Sequence, residues 1–169
     1  MPHLTPLPRY HGGSMEKLFH FDSPRERYRC EAAVVWCFDN RFETVLRKLL
    51  KRLNVIHFDP IRIAGGTKYL ASPDNEANRQ FVVEQIRISM RLHETRTVIL
   101  MLHSDCGAYG GLSAFGNDAE KEAHNHSFEL QRATSYLLSQ IPELTVRPFF
   151  VDFEGVWEIQ GQGAAARIA

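Results

Sequence analysis

The sequence has no excess charge of either sign: 20 Lys and Arg residues balance 20 Asp and Glu over 169 positions. A chain without a basic surplus has no electrostatic footprint for nucleic acid or an anionic membrane surface, so neither is expected as a partner. The basic stretch RKLLKR at 47–52 reads as the solvated face of an amphipathic helix. No apolar run approaches the ~20 residues that cross a bilayer. The opening MPHLTPLPRYHGGS carries prolines and glycines where a signal peptide needs unbroken apolar sequence. Residues 1–14 are therefore expected to be a flexible extension. Cysteine is scarce and odd in number: Cys30, Cys37 and Cys106. Three thiols without an export signal argue against a disulfide framework and for free thiols in a reducing, cytoplasmic setting, where metal ligation or catalysis is the better use of a thiol. Internal repeats and long linkers are lacking too. One domain is expected over 15–160, followed by a loose tail at 161–169.

What is present is a strand–helix alternation. AAVVWC (32–37) reads as a strand, followed by a helix from Phe42 to Leu53. VIHFDPIRI (55–63) is a second strand, closed by Ala64-Gly65-Gly66. A second helix carries Phe81, Val82, Ile86, Ile88, Met90 and Leu92, ending near His93-Glu94-Thr95. TVILML (97–102) lacks alternation, as a strand covered on both faces should. A long helix from about Asp118 to Gln140 stops at Pro142, and 145–160 reads as a strand, a turn at Glu154-Gly155 and a returning strand. The fold class is α/β. A mainly parallel sheet of order 2-1-3-4, with an added antiparallel C-terminal strand, is flanked by helices.

Two short motifs carry chemistry. CFDNR places Cys37, Asp39 and Arg41 at alternate positions after the first strand, and HSDCG places His103 and Cys106 after the third. In that order the two strands are neighbours at the reversal point of the sheet, where sites collect at carboxyl ends. Cys37, His103 and Cys106 then converge. Two thiolates and an imidazole suit Zn²⁺ and leave a fourth position open, and one zinc per chain is expected. The spacing is not that of a structural zinc knuckle. Nor does the Gly107–Gly111 turn match a dinucleotide or Walker loop, and Leu112 stands where a thiol phosphatase needs arginine.

CFDNR, then AGG, then HSDCG resembles the β-class carbonic anhydrases, whose motifs are Cys-x-Asp-x-Arg and His-x-x-Cys with an Ala-Gly turn between them. The resemblance extends from about Ala32 to the hairpin ending near Gln160. It implies that Cys37, His103 and Cys106 bind zinc, with Asp39 and Arg41 as a catalytic dyad beside the metal. It also implies a homodimer or larger assembly with the pocket at a subunit interface. The implied reaction is reversible hydration of carbon dioxide to bicarbonate by zinc-bound hydroxide. Hydrolysis of carbonyl sulfide or carbon disulfide on the same ligands is the alternative, and a catalytically silent zinc protein is a third reading. Phe38 and Asn40 stand where many family members carry serine.

Around this centre, Gly65, Gly66 and Gly107 are expected to allow close backbone approach, and Tyr109 to line the pocket or pack. Asp105 serves either the metal surroundings or a helix cap. Cys30 reads as a plain buried thiol without partners. His124 and His126 read as surface residues. Leu18, Phe19, Phe21 and Tyr28 are expected to form an arm across a partner subunit.

Overall fold

The computed structural model describes residues 17–160, so the expected extension at 1–14 and tail at 161–169 lie outside the described residues. Residues 17–31 have no regular secondary structure and lead into β1 (Ala32–Trp36). There follow α1 (Glu43–Arg52), β2 (Phe58–Arg62), α2 (Lys68–Ala71), α3 (Glu76–His93), β3 (Thr97–His103), α4 (Ala119–Gln140), β4 (Thr145–Val151) and β5 (Val156–Glu158). The sheet order is β2-β1-β3-β4-β5, parallel except for β5, as the alternation of strands and helices implied.

The unalternating strands are buried on both faces, and their two sets of side chains build two cores. Ala33, Val35, Val98, Leu100 and Leu102 pack beneath α2, α3 and α4. Ala32, Val34, Trp36, Ile99 and Met101 pack with Leu46, Leu49 and Leu50 of α1 on the other side. Arg47, Lys48, Lys51 and Arg52 face solvent, as read from the basic stretch. Pro60 is tolerated in β2 because that strand lies at the sheet edge, where a missing N–H breaks no central ladder.

Several boundaries differ from the sequence-based expectation. α1 begins at Glu43, after a 3₁₀ turn over Asn40–Phe42. The start of α3, for which the apolar pattern set no bound, is Glu76, because the Asn75 side chain accepts from the N–H of Asn78 and caps the helix there. It stops where expected, with Glu94 in the left-handed region at φ 56°. β2 is shorter than 55–63. The single-turn α2 and the 3₁₀ turns Gly107–Tyr109 and Leu112–Phe115 were not anticipated.

Candidate metal centre

Cys37 lies one residue past the end of β1, and His103 is the last residue of β3. The pairing of β1 with β3 therefore sets them side by side, and the turn after His103 returns Cys106 to the same point. The three ligand atoms lie within 4.8 Å of one another, and all three residues are buried. The donor chemistry fits a divalent zinc ion. His103 Nδ1–H donates to the Ser104 carbonyl at 2.8 Å, which leaves the Nε2 lone pair toward the sulfurs. That Nε2 is buried and has no hydrogen-bond partner. An orphaned nitrogen beside two thiols costs about 1–3 kcal/mol unless a cation takes its lone pair.

The three groups perturb one another's protons. Cys37 is pulled down to about 4, first by the hydrogen bond from Cys106, so one thiolate forms readily. Cys106 is pushed up by that same neighbour and by burial, so the second proton stays until a cation displaces it. Burial works against a charged His103, but the Cys37 thiolate and the Ser104 carbonyl outweigh it and raise its pKa. Two thiolates with neutral imidazole cancel the charge of Zn²⁺.

Asp39 and Arg41 stand at the rim. Arg41 Nε donates to Asp39 Oδ1 at 3.1 Å and Oδ2 at 3.0 Å, Nη2 donates to Oδ2 at 2.6 Å, and the Arg41 backbone N–H donates to Oδ1 at 2.9 Å. This clasp holds the Asp39 carboxyl down at about 2. Arg41 is itself held by Asp105, through Nη1 to Oδ2 at 2.9 Å and Nη2 to the carbonyl at 3.0 Å. The other Asp105 oxygen accepts from the Leu112 N–H at 3.0 Å, so Asp105 fastens the loop after β3 to Arg41. The guanidinium also lies 5.6 Å from the Phe153 ring centroid, a contact between residues too far apart along the chain for any local pattern to announce.

The glycines divide. A Cβ at Gly66 (φ +49°) would lie 2.8 Å from the Cys37 backbone nitrogen, and one at Gly65 (φ +71°) 2.7 Å from Ala108 Cβ. Those positions need glycine. Gly107 lines the cavity but is not such a position: a Cβ there meets nothing within 4 Å, because the turn carries it outward. Of the two roles open to Tyr109, the side chain takes the packing one. It turns away from the cavity into the core beneath α4, where its hydroxyl donates to Glu129 at 3.1 Å. His124 is exposed as expected, but His126 is fully buried, with its ring 4.6 Å from that of Tyr109. Burial drives His126 down to about 4, so its imidazole is neutral, and pushes the Glu122 carboxyl beside it up. The two motifs open on a cavity of about 850 Å³, with Phe38 63% exposed at its edge.

An uncharacterized protein of Rickettsia bellii is 28% identical over 128 residues, covering 74% of this chain and 78% of its own. The β-carbonic anhydrase isoform I of Trichomonas vaginalis superposes with a TM-score of 0.56 at 12% identity, covering 84% of this chain and 88% of that chain. One of two tetrameric β-carbonic anhydrases from Sordaria macrospora gives a TM-score of 0.53 at 14% identity, covering 78% and 81%. These superpositions show a shared fold. The family model described as "Putative carbonic anhydrase" matches residues 28–161, which include both motifs and every strand, and the chain belongs to that family as a divergent member of the β-carbonic anhydrase type.

Proposed function

We propose that this chain catalyses the reversible hydration of carbon dioxide at a zinc ion held by Cys37, His103 and Cys106. The observation that carries the proposal is the buried, unpartnered Nε2 of His103 between two thiols, beside a carboxylate clasped by arginine. Zinc there would acidify water in its open fourth position and supply a nucleophile near neutral pH. A thiolate-rich site is formally neutral and acidifies water less than three imidazoles would, so the neighbouring protein groups matter more.

Asp39 meets that need. Held down at about 2 by Arg41, it remains an anion throughout the working range and can only accept a hydrogen bond. An acceptor fixed at the rim orients the attacking oxygen so that a lone pair faces the substrate carbon. Arg41 keeps the carboxylate in place and away from the metal position through a bidentate pair, and Asp105 anchors Arg41. Phe38 offers an apolar edge to an apolar, linear substrate.

The cavity is far larger than a three-atom substrate requires, which supports enclosure by a second subunit. Leu18, Phe19 and Phe21, exposed by 88, 75 and 75%, provide an apolar arm for that contact. Carbon dioxide hydration by zinc-loaded protein, measured from neutral to alkaline pH beside a carbonyl sulfide assay, tests the proposal. Hydration should dominate. Absence of hydration in a zinc-loaded oligomer would sink it, and turnover of carbonyl sulfide alone would transfer the same site to hydrolysis.

A further inference from the structure

At the opposite end of the sheet, three other residues gather that the reaction does not use. Cys30 precedes β1, Asp59 is the second residue of β2, and His93 ends α3. One ligand atom from each lies within 4.8 Å of the other two. Cys30 Sγ–H donates to Asp59 Oδ1 at 3.3 Å, and His93 Nδ1 lies 2.9 Å from Oδ1 and 2.8 Å from Oδ2. The expectation that Cys30 has no partners is therefore corrected: both are remote in sequence.

We propose that Cys30, Asp59 and His93 form a second site for a transition metal of zinc type, distinct from the centre at Cys37. The spacing fits. Bond lengths of roughly 2.0–2.3 Å around a tetrahedral ion separate donor atoms by about 3.3–3.7 Å, so the trio needs only small adjustments. Thiolate, carboxylate and imidazole all belong to the zinc repertoire, and the two anions balance a divalent charge. The scaffold is already fixed: the Cys30 N–H donates to the His93 carbonyl at 3.0 Å, and Ala33 pairs with Asp59 across the strands. Tyr28 stacks on the His93 ring with centroids 4.3 Å apart and holds its orientation. Asp59 and His93 are 20 and 24% exposed, which leaves a solvent path for the ion and a fourth position for water.

An aspartate–imidazole pair alone would be a helix-end latch. A buried thiol turned onto the same carboxylate is not needed for a latch, and it completes a ligand set. Burial and Asp59 push that thiol up to about 12, so Cys30 is not poised as a nucleophile. A metal here would tie the entry of β1, the start of β2 and the end of α3 together. It would sit about 20 Å from the first centre, the length of β1 and its flanks.

Cobalt(II) is the probe, loaded into the chelator-stripped full-length chain and read by metal content and by the thiolate-to-cobalt charge-transfer band. Two ions per chain are expected, one for each cluster. Cys30→Ser and His93→Gln should each remove one, while carbon dioxide hydration remains. Cys106→Ser should remove the other. If Cys30→Ser does not fold, His93→Gln carries the test alone. One ion per chain that depends on Cys106 and is indifferent to Cys30 and His93 overturns the second site. One ion that depends on Cys30 and not on Cys106 sustains it while overturning the first.

Discussion

Arg41 donates through Nη1 to Asp105 Oδ2 at 2.9 Å across 64 positions of sequence, joining the turn after β1 to the turn after β3. The two motifs are thus tied by an ion pair as well as by the sheet. Asp105→Asn keeps an acceptor for the Leu112 N–H but removes the charge that anchors Arg41. The pair is 46 and 43% exposed, so solvent screening reduces its worth to about 0.5–1 kcal/mol. Hydration kcat/KM should fall roughly two- to fivefold with metal content unchanged. An unaltered rate would show that Asp39 alone positions Arg41.

Cys106→Ser replaces a soft thiolate with a hydroxyl that zinc binds poorly. Metal content should fall by one equivalent per chain and hydration should disappear with it. Elemental analysis after gel filtration provides the measurement. Full metal content would refute the ligand assignment.

The sheet order and the meeting of Cys37 with His103 were legible in sequence, because buried strands announce themselves as unbroken apolar runs and right-handed crossovers leave few arrangements. What was hidden had no periodic signal. α2 is four residues long, and the 3₁₀ turns at 107–109 and 112–115 are too short to show a pattern. His126 was misread because a polar residue on a helix suggests solvent, whereas a neutral imidazole can pack between Tyr109 and Phe150. Asp59 and His93 lie 29 and 63 residues from Cys30, and only the pairing of β2 with β1 and the return of α3 unite them. The bond of Asp105 to Arg41 joins residues 64 positions apart, which no local pattern announces.

Gly66 and Gly107 should respond very differently to alanine. Gly66→Ala must hold φ +49° with its methyl against the backbone of Trp36 and Cys37. Left-handed strain and overpacking together should cost about 2–5 kcal/mol and lower metal affinity. Gly107→Ala meets open space and should change stability by less than about 0.5 kcal/mol. Thermal melts of both, with and without zinc, decide the matter. A neutral Gly66→Ala would mean that the turn at 65–66 moves freely.

The apolar arm makes a prediction about assembly. Sedimentation of the wild type at micromolar concentration should show a dimer or larger species. Phe19→Ser with Phe21→Ser should shift it toward monomer, since both rings are 75% exposed among the described residues. A wild-type monomer with full activity would defeat the proposed enclosure of the cavity by a second subunit.

Asp39→Asn and Arg41→Ala separate the two halves of the dyad. The asparagine keeps the size of the side chain but not its charge, so Arg41 loses its ionic partner and the attacking oxygen loses its anionic acceptor. No soft ligand is removed, so metal should remain, while turnover falls by a factor of about 10² to 10⁴. Arg41→Ala frees an ionised carboxylate, an oxygen ligand that zinc accepts, to occupy the open position against water. That variant should retain metal at least as well as wild type yet be inactive, with inhibition deepening as pH falls and hydroxide competes less. The stability of the pair has its own pH signature. A carboxyl held down at about 2 in the folded state, against about 3.9 unfolded, stabilises the fold above pH ~4. That contribution is lost as pH falls toward 2. Thermal melts between pH 5 and pH 2 should therefore show a steeper acid loss for wild type than for Asp39→Asn. Undiminished turnover in Asp39→Asn, given wild-type activity, would reduce the dyad to a structural clasp.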